Sequence, residues 1–94
     1  MAPGALDDLD GIGEYFERAS QQYARSVVAR LYAAPEALAD HPQLGRVVPE
    51  FGVDHIRELV REGYRIVYVV SRDTVDVLAV LHGRQDLGRK LRRE

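Results

Sequence analysis

Three residues in the C-terminal half of the chain have the chemistry needed to cleave an RNA backbone without a metal ion. Such cleavage needs a base for the 2′-hydroxyl proton, an acid for the leaving oxygen and cations beside the phosphate. Arg65, His82 and Arg84 could supply these roles. Arg65 and His82 fall in segments predicted below to be neighbouring antiparallel strands, where side-chain parity could place both on one face. The alternative is that Arg65 is structural or binds a partner, and that His82 bonds the backbone at a strand end.

Residue types and spacing argue against most other site chemistry. Cysteine is absent, which excludes a thiolate nucleophile, a disulfide framework and a cysteine-ligated zinc site. His41 and His55 lack metal-ligand spacing. Gly11 and Gly13 fall within a predicted helix instead of following a strand, so they do not form a dinucleotide-binding motif. We therefore expect no metal, no cofactor and no small-molecule substrate.

Charge is distributed unevenly along the chain. The net charge is −2 and the isoelectric point is about 5.9, which argues against direct nucleic-acid binding because phosphate contacts favour a basic domain. The first 20 residues hold five acids and one base, whereas the last 11 hold five bases and two acids. We expect the acidic run to be a solvated helix face. The basic tail, which includes Arg89 and Lys90, is either a solvated end or a contact for an acidic surface of a target.

The N-terminal half predicts a helical hairpin over residues 4–41. Two apolar stripes recur at steps of three and four, as one face of a helix requires. The first consists of Leu6, Leu9, Ile12, Phe16 and Ala19. The second consists of Tyr23, Val27, Leu31 and Leu38. Ser20 can cap the second helix, and Pro35 predicts that the helix kinks or restarts there.

A loop from His41 to Gly52 precedes three predicted strands. β-branched and aromatic residues are concentrated in residues 55–61, 64–70 and 75–82, and turn-sized gaps separate these segments. They predict an antiparallel meander spanning residues 55–82. Strict alternation places four residues of the last strand on one face: Val75, Val77, Ala79 and Leu81.

Together these elements predict an α+β fold within one domain over residues 1–94. The helical hairpin should pack on one face of a three- or four-stranded antiparallel sheet, with a basic tail over residues 83–94 that is a short helix or loose. The face that keeps Arg57, Arg65 and His82 out of the core would be solvated or covered by a partner.

Nothing in the sequence directs the chain into or across a membrane. The longest apolar runs, residues 66–70 and 77–81, are far shorter than the roughly 20 residues needed to span a bilayer. The first residues contain no basic and apolar export signal. We expect a cytoplasmic protein.

Five segments in order resemble the RelE/ParE toxin superfamily, most closely its ParE-type members. They are residues 5–16, the loop 41–50, the strand 56–60, the strand 63–68 and the ending 80–87, which together run from about residue 3 to residue 87. Two departures stand out. Only two residues precede Pro3, where the family usually has a short strand, and Pro35 interrupts a helix that the family more often continues. A missing first strand predicts an open sheet edge.

The resemblance implies the growth-inhibiting toxin of a bacterial type II toxin–antitoxin pair, neutralised by a cognate antitoxin. ParE-like members poison DNA gyrase by protein contact, whereas RelE-like members cleave messenger RNA on the ribosome. Arg65 matches the strand arginine of the ribonucleases, and His82 lies near the C-terminal histidine that some of them carry. The slightly acidic net charge argues against a ribosomal target, as does the absence of lysine from residues 47–54, where the RelE type has a basic cluster.

The leading hypothesis is therefore a ParE-like gyrase inhibitor that acts by binding. Its expected partner-binding residues are Arg57, Arg65, His82, Arg84, Arg89 and Lys90. The alternatives are a ribosome-dependent, metal-independent endoribonuclease and an inactive relative that only binds its antitoxin. The groove between the two helices and the open sheet edge are the expected docking places for the antitoxin.

Overall fold

The computed structural model describes residues 1–72 and 74–92. Two helices begin the chain, a short 3₁₀ helix leads into four strands, and a third helix ends it. The elements are α1 (Pro3–Glu17), α2 (Gln21–Ala33), the 3₁₀ helix (Ala34–Leu38), β1 (Arg46–Val47), β2 (Ile56–Arg61), β3 (Tyr64–Ser71), β4 (Thr74–His82) and α3 (Leu87–Leu91). The predicted α+β arrangement, with N-terminal helices packed on an antiparallel sheet, is confirmed.

Local sequence signals explain where the helices begin. Pro3 occupies the first turn of α1, where its fixed φ and missing N–H are tolerated. The Oγ atom of Ser20 accepts a hydrogen bond of 3.1 Å from the N–H of Tyr23, so the predicted cap of α2 is confirmed. Pro35 lies in the first turn of the 3₁₀ helix, and the predicted restart is also confirmed.

The buried face of α1 is rotated slightly from the predicted stripe. Ala5, Leu9 and Ile12 are buried, whereas Leu6 is 43% exposed. Because successive helical residues are about 100° apart, the row through Leu9 and Ile12 continues to Ala5 and not to Leu6. The prediction that Leu6 belongs to the core stripe is wrong.

The sheet has the order β1-β2-β3-β4, and every neighbouring pair is antiparallel. In the β3–β4 pairing, Tyr64 is opposite His82 and Arg65 is opposite Leu81. The turn between β2 and β3 has positive φ at both Glu62 (54°) and Gly63 (80°), as a two-residue type I′ hairpin requires. The predicted meander is therefore present.

The fourth strand comes from a segment that the sequence analysis assigned to a loop. β1 pairs Arg46 with Glu58 and Val47 with Arg57. The N–H of Val48, the residue after this strand, donates to the carbonyl of Ile56 at 3.0 Å. A two-residue strand is too short to show the alternation by which strands are recognised. At the opposite edge of the sheet, the N–H of Ala2 makes a single bond of 2.7 Å to β4.

A β-bulge at Leu78 divides β4 into two halves. The register passes directly from Ala79 to Val77, which leaves Leu78 without a cross-strand partner. Val77 and Val75 pack beneath the helices, whereas Ala79 and Leu81 point to the other face. The prediction that all four share one face is wrong because strict alternation cannot anticipate a bulge.

Each face of the sheet carries its own apolar cluster. The larger cluster fills the space between the helices and the sheet, and Leu31, Ile66 and Tyr68 lie at its centre. The smaller cluster on the opposite face consists of Val48, Val67, Ala79, Leu81 and Leu87. Because Leu87 belongs to α3, the predicted short helix in the basic tail is present and contributes to this second cluster.

Within the described part of the chain, no helix is both long enough and apolar enough to cross a membrane.

Candidate functional site

Arg65 lies at the centre of a partly buried ion-pair network on the sheet face opposite α1 and α2. Its Nε donates to Oε1 of Glu58 at 2.7 Å, and its two terminal nitrogens donate to the two carboxylate oxygens of Glu50 at 2.8 Å each. The other oxygen of Glu58 accepts from Nε of Arg46 at 2.6 Å. Two guanidinium groups and two carboxylates therefore neutralise one another on strands β1, β2 and β3 and the loop that follows β1.

The inner pair of this network, Glu58 and Arg65, is buried. The Glu58 side chain is fully buried, and Arg65 is only 7% exposed. The Glu50 hydrogen bonds keep the pKa of Arg65 above its ordinary value, and the Arg65 guanidinium lowers the pKa of Glu50. Of the two expectations for Arg65, a solvated position is wrong, because the side chain is buried and bonded to the two glutamates, whereas cover by a partner stays a prediction.

Arg57 holds the loop between the 3₁₀ helix and β1. Its side chain donates to the carbonyl oxygens of Gly45 and Asp54 at 2.9 Å each, and to the Asp54 carboxylate at 2.6 Å. On the next strand, the hydroxyl of Tyr68 donates to the carbonyl of Pro42 at 2.8 Å and accepts from the N–H of Gly45 at 2.9 Å. Arg57 and Tyr68 thus fix a loop whose backbone groups would otherwise be unpaired.

Gly45 is required by this arrangement. A Cβ atom at Gly45 would collide with the carbonyl oxygen of Glu58 and lie 2.6 Å from the Tyr68 hydroxyl. Packing of this loop against β2 and β3 therefore explains why residue 45 is a glycine.

His82 lies at the exposed end of β4, on the face opposite that of Arg65. Its ring contacts the ring of Tyr64 edge-to-face, with centroids 5.7 Å apart. Its Nδ1 accepts from the backbone N–H of Arg84 at 3.3 Å, and its own N–H donates to Gln85 at 2.7 Å. Because His82 pairs with Tyr64 while Arg65 pairs with Leu81, the prediction that Arg65 and His82 share one face is wrong.

A second buried ion pair joins the two ends of the chain. Oδ2 of Asp8 accepts a hydrogen bond of 2.8 Å from the N–H of Val80, and Oδ1 lies 2.9 Å from Nζ of Lys90. The Asp8 side chain is 3% exposed and that of Lys90 is 16% exposed. Lys90, a predicted partner-binding residue and the only lysine in the sequence, is thus bound to α1.

A cavity of about 640 Å³ opens beside this ion pair, between α1 and the ends of β3 and β4. We call it the α1–β4 cavity. Its lining includes Asp7, Gly11, Tyr15, Tyr64, His82 and Lys90. Asp7, Gly11 and Tyr15 are spaced by four residues, so they form one row along α1. Burial raises the pKa of Tyr64 above its ordinary value, with smaller contributions from Tyr15 and Tyr23.

The described structure gives no packing reason for a glycine at position 11 of this row. A Cβ atom placed on it would meet nothing within 4 Å. Gly13, by contrast, lies against α2, where a Cβ would come 3.3 Å from Val28. Glycine within a helix costs roughly 0.5–1 kcal/mol relative to alanine, and neither packing nor backbone conformation requires that cost at Gly11.

A second hollow, of about 530 Å³, lies between α1 and α2. Its rim carries Asp10, Glu14, Glu17, Arg25 and Tyr32. This is the interhelical groove predicted as a docking place for the antitoxin, and acids outnumber bases along it.

The six predicted partner-binding residues therefore fall into two groups. Arg57, Arg65 and Lys90 are held by intramolecular bonds, as described above. His82, Arg84 and Arg89 are exposed along the connection from β4 to α3. Within residues 1–72 and 74–92, Arg84 and Arg89 form no ion pair.

Comparison with known proteins assigns the chain to a family. A family model described as "ParE toxin of type II toxin-antitoxin system, parDE" matches residues 1–87. The chain belongs to the ParE toxin family. The toxin is also similar to a protein of Sinorhizobium fredii named "Putative toxin Y4kP", with 42% identity over 83 residues that cover 86% of this chain and 82% of that protein. Membership of a type II toxin–antitoxin family implies that the toxin has an antitoxin partner.

Several residues that organise the toxin were not singled out from the sequence. Glu50 and Glu58 complete the Arg65 network, and Tyr68 locks the loop before β1. Asp8 was read as part of a solvated acidic run. Among these residues only Glu58 carried a local signal, because it alternates with Ile56 and Val60 in a predicted strand and a charged side chain must find a partner when it is buried.

Proposed function

We propose that this toxin inhibits bacterial growth in the cytoplasm by binding DNA gyrase, and that a cognate antitoxin neutralises it. It would act by protein contact and carry out no chemistry of its own. Membership of the ParE family supports this proposal over the RelE-like alternative.

The observation that carries the proposal is the separation of Arg65 from His82. A metal-independent ribonuclease needs its cation and its acid or base around one phosphate. Here the two side chains point to opposite faces of the sheet, and the Arg65 guanidinium is already bound to two carboxylates. A phosphate at Arg65 would have to displace Glu50 and would meet the negative charge of Glu58.

The surface proposed to contact gyrase is the exposed connection from β4 to α3. His82, Arg84 and Arg89 are exposed there, and Asp86 caps α3 by accepting from the N–H of Arg89 at 3.3 Å. The bonds from His82 to Arg84 and Gln85 fix the backbone of this connection. Exposed arginines on a fixed backbone can contact an acidic protein surface with little loss of conformational entropy.

The test is a supercoiling assay with purified gyrase and the toxin carrying Arg84→Ala and Arg89→Ala together. We expect inhibition to weaken roughly tenfold or more, as truncation of two central interface cations would produce. The matched control carries Arg18→Ala and Arg25→Ala, because these arginines are exposed on the helical hairpin and also form no ion pair in residues 1–72 and 74–92. Equal inhibition by the two variants would argue against the proposed surface, and no inhibition by the wild-type toxin would rule out gyrase.

Two further assays test the alternatives. In the first, the toxin is incubated with translating ribosomes and the ends of the messenger RNA are mapped. Codon-phased cuts that disappear in His82→Ala would establish the ribonuclease. Normal growth of cells that express the folded toxin without antitoxin would instead indicate an inactive relative.

A further inference from the structure

We propose that the α1–β4 cavity receives an arginine side chain of the antitoxin. This inference rests on the antitoxin part of the proposed function and is independent of gyrase. It specifies which type of antitoxin side chain binds in this cavity.

The charge of the cavity favours a cation. Of the carboxylates that line it, Asp8 is paired with Lys90 and Glu62 is paired with Arg30, with an Nη2–Oε1 distance of 2.7 Å. Asp7 is exposed and forms no ion pair with any cation in residues 1–72 and 74–92. The lining therefore presents one carboxylate whose charge is not already balanced within the described chain.

The aromatic side chains favour arginine over lysine. Tyr15 is 63% exposed, and with Phe16, Tyr64 and His82 it gives the cavity four rings. A guanidinium is planar, so it can stack on a tyrosine ring while it donates two parallel hydrogen bonds to a carboxylate. Asp7 and Tyr15 lie in one row of α1 and can supply these two contacts together.

Gly11, between Asp7 and Tyr15 in that row, leaves room for an occupant beside the helix backbone. As shown above, no atom of the described chain fills the space where its side chain would be. Glycine is used where another molecule must approach the backbone closely. An arginine side chain that crosses this row to reach Asp7 would lie against the helix backbone at Gly11.

The charge around the cavity indicates a protein segment and not an isolated small molecule. Asp10, Glu14 and Glu17 are exposed on the neighbouring side of α1, along the hollow between α1 and α2. A segment with further basic residues could cross α1 after its first arginine is inserted and contact this second row, so that the two surfaces have complementary charge.

The test uses the intact toxin, ¹⁵N-labelled, and N-acetylarginine methylamide as the probe. We expect saturable chemical-shift changes at Gly11, Tyr15 and His82. The citrulline analogue, which has the same shape without the charge, should cause no saturable change. Equal binding of citrulline, tighter binding of the lysine analogue, or shifts spread evenly over α1 would each overturn the proposal.

Three variants make the test sharper. Asp7→Asn should weaken arginine binding at least fivefold, whereas Asp10→Asn, at another exposed carboxylate of the same helix outside the cavity, should leave it unchanged. Gly11→Ala should raise the thermal unfolding midpoint of the free toxin and weaken arginine binding. A Gly11→Ala toxin that binds arginine as tightly as the wild type would contradict the assigned role of Gly11.

Gyrase inhibition is measured on the same variants in order to separate the two proposals. If Asp7→Asn loses arginine binding and still inhibits gyrase, both proposals are supported. If the wild-type toxin binds arginine and does not inhibit gyrase, the gyrase proposal alone fails. If the wild-type toxin inhibits gyrase and does not bind arginine, only the cavity proposal fails.

Discussion

The carboxylate of Asp8, in the first helix, accepts a hydrogen bond of 2.8 Å from the backbone N–H of Val80, near the end of the last strand. β4 is an edge strand, and the outward N–H groups of an edge strand can pair with another chain. Asp8 occupies one of these groups, and its other oxygen holds Lys90 of α3. One buried side chain thus protects the sheet edge and fixes the C-terminal helix.

Replacement of Asp8 by alanine should destabilise the toxin by roughly 2–4 kcal/mol, because it leaves the Val80 N–H without an acceptor and Lys90 without its counter-ion. The adjacent Asp7→Ala change, at an exposed position, should stay within about 0.5 kcal/mol of the wild type. Urea unfolding measures both. Hydrogen exchange at Val80 should also become faster in Asp8→Ala alone, and unchanged exchange would show that this bond does not protect the edge.

The contributions of Arg65 and Glu58 to the free energy of unfolding should be coupled, because the two side chains form one buried ion pair. Among residues 1–72 and 74–92, Arg65→Met leaves the fully buried Glu58 with Arg46 as its one counter-ion, and we expect a loss of roughly 3–5 kcal/mol. The double variant Glu58→Leu with Arg65→Met replaces the buried pair by apolar side chains, and most of that loss should be recovered. Urea unfolding of the single and double variants gives the coupling energy. Additive losses would contradict the description of this pair as one buried unit.

Stability should fall as the pH drops below the ordinary glutamate pKa of 4.5. Arg65 lowers the pKa of Glu50 and Arg30 lowers that of Glu62, so the folded state binds protons less readily than the unfolded state at both sites. Their contribution is fully present above pH 4.5 and is lost as the pH falls through the lowered pKa values. Glu50→Gln should flatten this part of the pH–stability curve. Glu14→Gln, at an exposed residue outside the ion pairs of residues 1–72 and 74–92, should leave it unchanged.

The sequence predicted those parts of the fold that have a repeating pattern. The period of α1 and α2 and the alternation of β3 are long enough to identify each element, and Ser20 and Pro35 marked boundaries. β1 contains two residues and the bulge at Leu78 is one inserted residue, so neither has a period. The bulge also changed the face assigned to Ala79 and Leu81, because a shift of one residue reverses every later side chain.

The candidate site was harder to predict because its residues are distant in sequence. Arg65 and His82 could be recognised as chemically capable, but which face each occupies depends on the register with its neighbour across the turn. The partners that bind Arg65 lie 7 and 15 residues before it, at Glu58 and Glu50. No local pattern links these positions, so the sequence could not distinguish a buried arginine from one available to a partner.

Tyr68→Phe tests whether the loop before β1 is held by a single hydroxyl group. Removal of this hydroxyl leaves the buried N–H of Gly45 without its acceptor, and we expect a loss of roughly 1–3 kcal/mol in urea unfolding. Tyr64→Phe is the matched control, because Tyr64 lies on the same strand and face and its hydroxyl makes no hydrogen bond within residues 1–72 and 74–92. The N–H of Gly45 should exchange with solvent faster in Tyr68→Phe and at the wild-type rate in Tyr64→Phe. Equal losses in the two variants would mean that general packing, and not the bonds to Pro42 and Gly45, holds the loop against the sheet.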